Sequence, residues 1–279
     1  MRFGAHVSIA GGVWNAPKNA ADLGCEVFQM FSRSPQGGPA PKLTDDVLEK
    51  WQNACKEHGF DTWAIHAPYY INFASAEART RANTIRLIRE ELERGTMLGA
   101  KYVMFHPGSA RDVSEEEGVR FCIEGIKKVL DGYTGSTELL IEISAGAGRV
   151  IGDTFEEVAE TLAGVGHPEL GVCFDTQHAF ASGYDLRTKK DVKKTFAAFD
   201  DIIGLKKLKM SHLNDSKVEF GAKRDRHEHI GEGHIGLEGF RALVNHPGLQ
   251  NIDLYLETPH DGVPKDLEII KGFRKEGSR

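Results

Sequence analysis

Eight short apolar runs alternate along this chain with longer stretches of helical spacing, and this alternation limits the possible folds more than any other feature. The runs cover residues 3–7, 26–31, 62–66, 102–106, 139–143, 171–175, 208–212 and 254–257. Between them, helices are predicted over 44–58, 77–98, 114–130, 154–162 and 189–199. The pairs Ser114 with Glu117 and Thr154 with Glu157 match a capping box, in which hydroxyl and carboxylate each accept from an amide at the helix start.

The number of repeats indicates the architecture. Eight units in 279 residues give about 35 residues per unit, the size of the repeat in a (β/α)8 barrel. The alternative is an open doubly wound sheet, but the chain lacks the glycine fingerprint that would favour it. We therefore expect an α/β fold, a single TIM-barrel domain over residues 1–279.

Composition and charge exclude several classes of protein. No segment approaches the roughly 18 apolar residues of a membrane span, and the first residues contain no long apolar signal region. The four cysteines form no CxxC pair, which disfavours a thiolate zinc site. The net charge of −6 argues against a protein that coats nucleic acid electrostatically. We expect a cytoplasmic protein with reduced thiols and no membrane partner, and a monomer, since a closed barrel core needs no second subunit.

The last six apolar runs all end in a residue that can bind a metal ion. These residues are His66, His106, Glu142, Asp175, His212 and Glu257, spaced 33 to 45 residues apart. In a barrel, all six side chains emerge at the carboxyl-terminal mouth, where barrel enzymes have their active sites. Several carboxylates together repel one another, and divalent cations relieve that repulsion. Imidazole and carboxylate ligands without thiolate suit zinc, with manganese or iron as alternatives at some of the sites.

Two local motifs add three further ligands. His178 follows Asp175 by three residues, and Asp225 and His227 have the i, i+2 spacing that places two side chains on one side of an extended segment. The set then comprises five histidines, two aspartates and two glutamates, which is more than one metal ion needs and suits two or three.

These residues lie in motifs that resemble the endonuclease IV family of apurinic/apyrimidinic endonucleases over nearly the whole chain. The matching stretches are residues 4–8, 105–109, 174–175 with 178–181, 183–185, 212–217, 225–227, 231–233 with 235–236, and 256–259. The resemblance implies three zinc ions. His66, His106 and Glu142 would hold the first, Glu142, Asp175, His212 and Glu257 the second, and His178, Asp225 and His227 the third.

The implied reaction is hydrolysis of the phosphodiester on the 5′ side of an abasic site in duplex DNA, leaving a 3′-hydroxyl. Glu142 and Glu257 would orient or deprotonate the attacking water. Removal of 3′ blocking groups is a related activity. Three zinc ions would formally cancel the net charge of −6, which weakens the objection to a DNA substrate.

For DNA contacts, Tyr69 matches a tyrosine that the family uses at the DNA face, and Arg33 and Arg226 are candidate phosphate contacts. The chain departs from the family at two places. Gln36 and Gly38 stand where a basic and aromatic loop usually has Arg and Trp, and Ile143 follows Glu142 where Asn is common. The change at Gln36 and Gly38 puts in doubt how the gap left by a flipped nucleotide is filled. The change at Ile143 puts in doubt the hydrogen bonding that supports the metal ligands.

Two other functions share parts of this pattern. A sugar isomerase or epimerase would use a quartet at the same strand ends, matching Glu142, Asp175, His212 and Glu257, but a one-metal sugar enzyme would not need the other five ligands. A catalytically inactive binder of damaged DNA would have an incomplete ligand set, and no ligand is missing from this sequence.

Overall fold

The computed structural model describes residues 1–277, in which eight parallel strands close into a barrel. The barrel strands are β1 (Phe3–Val7), β2 (Val27–Met30), β3 (Trp63–His66), β4 (Tyr102–Phe105), β5 (Glu138–Glu142), β6 (Gly171–Asp175), β7 (Leu208–His212) and β10 (Asp253–Leu256). Between β7 and β10 in the sequence lie two short strands, β8 (Asp215–Ser216) and β9 (His227–Glu228), which pair with each other in antiparallel orientation. Each barrel strand pairs with its neighbour in the sequence of barrel strands, and β1 pairs with β10 to close the ring. The predicted (β/α)8 barrel is confirmed.

Helices connect the strands on the outside of the barrel. They are α1 (Ala16–Asp22), α2 (Asp45–His58), α3 (Ala78–Leu98), α4 (Glu115–Leu130), α5 (Phe155–Val165), α6 (Thr176–Ser182), α7 (Lys189–Ile202), α8 (Gly236–Val244) and α9 (Val263–Gly277). All five helices predicted from the sequence are present, and α5 and α7 run three residues beyond their predicted ends. No helix within residues 1–277 is long and apolar enough to cross a membrane.

The predicted capping boxes form only in part. Ser114 and Thr154 accept hydrogen bonds from the backbone N–H of Glu117 and Glu157, as predicted. The reciprocal half was wrong, because the Glu157 carboxylate accepts from the N–H of Gly152 and that of Glu117 pairs with Arg120. These carboxylates therefore stabilise the preceding loop and the helix surface.

Two layers of apolar side chains form the core. The larger layer lies between strands and helices, where the ring of Trp51 packs edge to face against Phe28 and Trp63. The smaller layer fills the inside of the barrel with Val27, Ala64, Tyr102, Met104, Leu140, Cys173, Met210 and Tyr255. At Gly4 a Cβ atom would lie 1.8 Å from the carbonyl oxygen of Val27, so only glycine permits β1 to approach β2 this closely. The filled interior forms the floor beneath the carboxyl-terminal mouth.

Candidate metal centre

Each barrel strand directs one side chain into a ring at the mouth. Because side chains alternate between the faces of a strand, the residue two positions after an interior core residue also points inward. On seven strands that core residue belongs to the interior layer, and on β1 it is Gly4. The ring consists of His6, Gln29, His66, His106, Glu142, Asp175, His212 and Glu257. Six of its members are the predicted strand-end ligands, which the barrel brings together.

Glu142 lies at the centre of this ring and is fully buried. Its Oε2 atom is 3.3 Å from Nε2 of His66 and 3.5 Å from Nε2 of His106. Its Oε1 atom is 2.8 Å from Nδ1 of His212 and 3.5 Å from Nδ1 of His178. One carboxylate therefore faces imidazoles on two sides, as a ligand shared between neighbouring cations must.

A second group surrounds Nδ1 of His212. Besides Glu142, Oε2 of Glu257 lies 3.3 Å and Oδ2 of Asp175 lies 3.6 Å from this nitrogen. The four residues offer ligand atoms that all lie within 4.8 Å of one another, and so do His66, His106 and Glu142. Both sets match the groups that the sequence resemblance implied.

A third group forms where β9 and its preceding loop fold over α6. Nε2 of His178 and Nε2 of His227 are 3.4 Å apart, and Asp175 completes a set whose ligand atoms lie within 4.8 Å of one another. The two oxygens of Asp225 lie 3.4 Å from Nε2 of His178 and 3.3 Å from Nε2 of His227. All nine predicted ligands thus converge on the mouth, with Asp225 on the exposed side of the cluster.

The second nitrogen of four of these histidine rings faces a carbonyl oxygen. Nδ1 of His66 lies 2.6 Å from Ala67 O, Nδ1 of His178 lies 2.9 Å from Ile143 O, and Nδ1 of His227 lies 3.2 Å from Glu257 O. Nε2 of His212 lies 2.7 Å from Oε1 of Gln29. Because a carbonyl oxygen only accepts, each of these nitrogens carries a proton and donates. The other ring nitrogen, which faces the carboxylates, is then free to bind a metal ion, the usual arrangement of metal-binding histidines.

One carboxylate oxygen of Glu142 lacks a hydrogen-bond partner in the described part of the chain, and this indicates that a cation fits here. Oε2 of Glu142 is buried and accepts no hydrogen bond from residues 1–277. An unpaired carboxylate oxygen in a buried site is costly, and a cation between it and the nitrogens of His66 and His106 removes that cost. The donor set of imidazole nitrogens and carboxylate oxygens is the chemistry that zinc prefers.

Charge coupling across the cluster shifts the pKa values of its members. Burial raises the pKa of Glu142, but the positive charges of His106 and His212 outweigh burial and hold that pKa well below its ordinary value. Burial lowers the pKa of His178, but Asp175 and Asp225 outweigh burial and raise it to about 10. The lowered pKa keeps the Glu142 carboxylate ionised at neutral pH, as metal ligation requires, and the raised pKa of His178 reflects the negative charge that a bound cation would neutralise.

Cys173 lies within reach of Glu142 and His212 but does not belong to the ligand set. Burial raises the pKa of its thiol to about 12. A neutral thiol is a poor ligand, and its side chain belongs to the apolar interior of the barrel.

Two buried amides that the sequence analysis did not select support the ligands. Nδ2 of Asn214 donates to Asp175 at 2.7 Å, and its Oδ1 accepts from the N–H of Glu257 at 2.7 Å. Gln29 contacts Glu257 and His212. The available signal for Gln29 was its place in β2, where one amide interrupts an apolar run at an inward position.

The rim of the mouth carries two of the predicted DNA contacts. The Tyr69 side chain is 63% exposed, and its ring lies 5.3 Å from the rings of Phe31 and His66. Arg226 is exposed and donates to the carbonyl of its neighbour Asp225. A cleft of about 620 Å³ opens beside the metal ligands, lined in part by His6, Ser8, Phe31, Tyr69, Glu257 and His260.

Arg33, the third predicted DNA contact, is buried beneath this rim. Its guanidinium pairs with Glu91, which is fully buried, and lies 3.1 Å from Oε1 of Glu90. Arg94 donates to the hydroxyl and carbonyl of Ser32 and to the carbonyl of Pro41. These contacts fasten the loop between β2 and α2 to helix α3.

Ile143, which replaces the Asn expected after Glu142, supports the cluster through its backbone. Its carbonyl accepts from Nδ1 of His178 at 2.9 Å, and its N–H donates to the carbonyl of Cys173 at 3.1 Å. The side chain is fully buried in the core. The orientation of His178 therefore does not depend on an amide side chain at this position.

Comparisons with known proteins agree with this geometry. The family model described as xylose isomerase-like TIM barrel matches residues 17–275. The chain is 37% identical over 278 residues to a probable endonuclease 4 of Halothermothrix orenii, covering 99% of this chain and 100% of the relative. The crystal structure of endonuclease IV from Thermus thermophilus superposes with a TM-score of 0.88 at 33% identity, covering 99% of this chain and 100% of that one.

Sugar-modifying barrels share the fold at lower sequence similarity. A D-tagatose 3-epimerase-like protein superposes with a TM-score of 0.75 at 20% identity, covering 100% of this chain and 98% of the other. That likeness shows the fold alone.

Proposed function

Since this chain belongs to the endonuclease IV family of apurinic/apyrimidinic endonucleases, we propose that it cuts duplex DNA on the 5′ side of an abasic site and leaves a 3′-hydroxyl. The observation that carries the proposal is the convergence of all nine family ligands on one mouth, with Glu142 between two groups of them. Clustered cation sites stabilise the charge that develops when a phosphodiester is hydrolysed.

We assign the ligands as the resemblance implied, to three zinc ions, with manganese or iron as alternatives at some sites. His66, His106 and Glu142 hold the first ion. Glu142, Asp175, His212 and Glu257 hold the second. His178, Asp225 and His227 hold the third, where Asp175 also lies within reach. When bound, such ions neutralise charge on a phosphate and lower the pKa of a water molecule toward neutrality.

The protein's own groups orient the substrate and move the proton. Glu142 is fully buried and ionised at neutral pH, and its carboxylate is placed to orient the attacking water or to accept its proton. Glu257 lines the cleft and is held at Oε1 by Gln29, which fixes a second carboxylate toward the substrate. These two residues are the proposed catalytic pair.

Tyr69 and Arg226 are proposed to face the DNA. The Tyr69 ring projects from the rim beside the cleft and offers a flat surface for stacking where a base is missing. Arg226 offers an exposed cation next to a ligand and suits a flanking phosphate. We assign Arg33 to the support of the loop that carries this rim, because its guanidinium is paired with Glu90 and Glu91.

The third ligand group favours the nuclease over a sugar isomerase or epimerase. The quartet of Glu142, Asp175, His212 and Glu257 would serve a one-metal sugar enzyme by itself. His178 and His227 would then have no role, although each ring is oriented by a carbonyl so that a free nitrogen faces Asp225.

Strand cleavage of a labelled duplex tests the proposal directly. The duplex carries one abasic-site analogue that resists β-elimination, and an intact duplex and a panel of sugars are assayed beside it. Protein purified without chelator should cut 5′ to the lesion, lose activity with chelator and regain it with zinc. Incision of the intact duplex at the same rate, or turnover of a sugar without incision, would overturn the proposal.

Further properties follow as proposals with their own measurements. A duplex with a 3′-phosphoglycolate end tests the removal of 3′ blocking groups. Light scattering coupled to size exclusion tests the expectation of a monomer, and a single cooperative unfolding transition tests the expectation of one domain. The cytoplasmic location stays a prediction.

A further inference from the structure

Two members of the inward ring at the mouth, His6 and Gln29, are not among the predicted ligands. The other six ring positions hold the six strand-end ligands, which together make up the first and second groups. Gln29 follows Val27 on β2 by two residues and so occupies the same height in the barrel as the ligands.

The Gln29 amide is fully buried and makes three polar contacts in this ring. Its Nε2 donates to Oε1 of Glu257 at 2.7 Å and lies 3.0 Å from Nδ1 of His6. Its Oε1 lies 2.7 Å from Nε2 of His212. One neutral side chain therefore holds a carboxylate through its amino group and an imidazole through its carbonyl oxygen.

Gln29 holds the atoms of Glu257 and His212 that point away from the proposed metal ion, namely Oε1 of Glu257 and Nε2 of His212. Because Oε1 of Gln29 only accepts, His212 carries a proton on Nε2 and presents Nδ1 to Glu142, Asp175 and Glu257. Because Nε2 of Gln29 occupies Oε1 of Glu257, the other oxygen, Oε2, is the one that faces His212 at 3.3 Å.

An apolar residue would fill the same volume without the cost of burying an amide. Burying a polar group is unfavourable unless its hydrogen bonds are made, so an amide here stabilises the barrel no better than methionine would. Glutamate would retain an acceptor for His212 but would repel Glu257. Only a side chain that donates on one side and accepts on the other orients both ligands.

We propose that Gln29 is a positioning residue that orients Glu257 and His212 for the second metal ion; this inference depends on the proposed function only in requiring that the second group binds metal. Groups that orient metal ligands typically contribute 10- to 100-fold in metal affinity. The first and third groups contain neither Glu257 nor His212, so the effect should be confined to one site.

Site-resolved metal binding tests the assignment without any nuclease substrate. Wild-type, Gln29→Met and Gln29→Glu proteins are stripped of metal and loaded with ¹¹³Cd²⁺, whose NMR spectrum gives a signal for each occupied site. Zinc affinity is measured by competition with a chelating dye. Val27→Ala is the matched control, because it removes interior volume from the same face of β2 two residues below Gln29.

Both Gln29 variants should weaken one zinc site by about 10- to 100-fold and shift or remove one ¹¹³Cd signal while the others stay in place. Val27→Ala should keep every signal, even if its thermal stability falls. Both Gln29 variants preserve side-chain volume, so a packing role predicts no change. Unchanged affinity and spectra in Gln29→Met overturn this inference alone, whereas wild-type protein that binds no divalent metal overturns it together with the proposed metal centre.

Discussion

Nε2 of His66 lies 3.3 Å from Oε2 of Glu142, and both atoms present electron pairs to each other. The Nδ1–H of His66 is committed to the carbonyl of Ala67, so Nε2 has no proton of its own in the neutral ring. Two such atoms approach this closely only when a cation, either a proton or a metal ion, lies between them. This contact is the smallest unit of the proposed metal centre.

Glu142→Gln should therefore remove more than one ligand contact. The amide keeps the shape of the side chain but loses the charge that serves both the first and the second group. We expect kcat for incision of abasic DNA to fall by at least about 100-fold and the zinc content measured by atomic emission to fall with it. Glu138→Gln is the control, because Glu138 lies at the opposite end of β5 and pairs with Lys209. Full zinc content with unchanged kcat in Glu142→Gln would contradict the central role of this carboxylate.

The fold and the ligands were predictable because each depends on a short, repeated signal. Eight apolar runs predict eight strands, and a polar residue at the end of such a run must emerge at the mouth. The supporting residues were less accessible. Whether Gln29 faces inward depends on the alternation that begins at Val27. Its partners Glu257 and His212 lie about 180 or more residues away in the sequence, so the residues near Gln29 give no indication of these contacts.

The ion pairs of the buried Arg33 could not be predicted from the sequence, for a different reason. A basic residue near a predicted binding loop suggests a phosphate contact, but two acidic residues of α3, Glu90 and Glu91, lie where the chain returns past that loop. Nothing in the local sequence around Arg33 reveals that pairing. Tyr69 and Arg226, which follow strand ends or ligands directly, lie on the exposed rim as their positions suggest.

Tyr69→Ala should weaken the binding of abasic DNA while the metal centre stays intact. The Tyr69 ring is exposed beside Phe31 and His66, and stacking of a base on such a ring contributes about 1–3 kcal/mol. We expect Kd for abasic duplex, measured by fluorescence anisotropy, to rise by about tenfold. Tyr70→Ala removes the neighbouring aromatic, which is 40% exposed, and should change Kd little. Equal effects of the two variants would argue against a specific role for Tyr69.

Glu26 should stabilise the barrel closure in a pH-dependent way. Its carboxylate accepts from the N–H of Phe3 on β1 and from both Nη atoms of Arg274 on α9. Burial raises its pKa, but these hydrogen bonds outweigh burial, so the pKa lies below the ordinary 4.5. A lowered carboxyl pKa adds stability that is complete above the unfolded pKa and is lost as pH falls through the folded pKa.

Glu26→Gln should accordingly lower the free energy of unfolding by about 1 kcal/mol at pH 7, and the difference from wild type should shrink as pH falls below 4.5. Urea unfolding at several pH values in chelator measures it, since loss of metal then affects both proteins alike. Glu276→Gln, which breaks an exposed pair between α9 and Arg241 of α8, should change stability less. A difference that stays constant from pH 7 to pH 3.5 would refute the assignment.

Arg33→Met should destabilise the protein strongly although Arg33 is outside the ligand set. Glu91 is fully buried, and without Arg33 its carboxylate would keep the hydroxyl of Ser32 as a hydrogen-bond partner and the charge of Arg94 nearby. Removing one member of a buried ion pair typically lowers the free energy of unfolding by about 3–5 kcal/mol. Guanidinium unfolding should show this loss, and the double variant Arg33→Met/Glu91→Leu should recover most of it.

The control for Arg33 is Arg86→Met on α3, since Arg86 makes an exposed pair with Glu90 at 3.4 Å. Its effect should stay below about 1 kcal/mol. If Arg33→Met costs no more than Arg86→Met, the buried pair does not fasten the loop.

Gln36→Arg should tighten the binding of DNA, because it restores a cation at the position where the resemblance leads us to expect one. Gln36 is exposed on the loop whose residues Ser34 and Pro35 line the cleft beside Tyr69, and the buried Arg33 holds the base of that loop. A new phosphate contact releases counterions, so the plot of log Kd against log salt should steepen by about 0.9. Gln52→Arg adds the same charge on the exposed face of α2 and is the matched control. If the contact forms, only Gln36→Arg steepens the salt dependence with abasic duplex. Identical slopes for both variants would mean that the loop does not reach the DNA backbone, and recognition would then depend on Tyr69 and the opposite rim around Arg226.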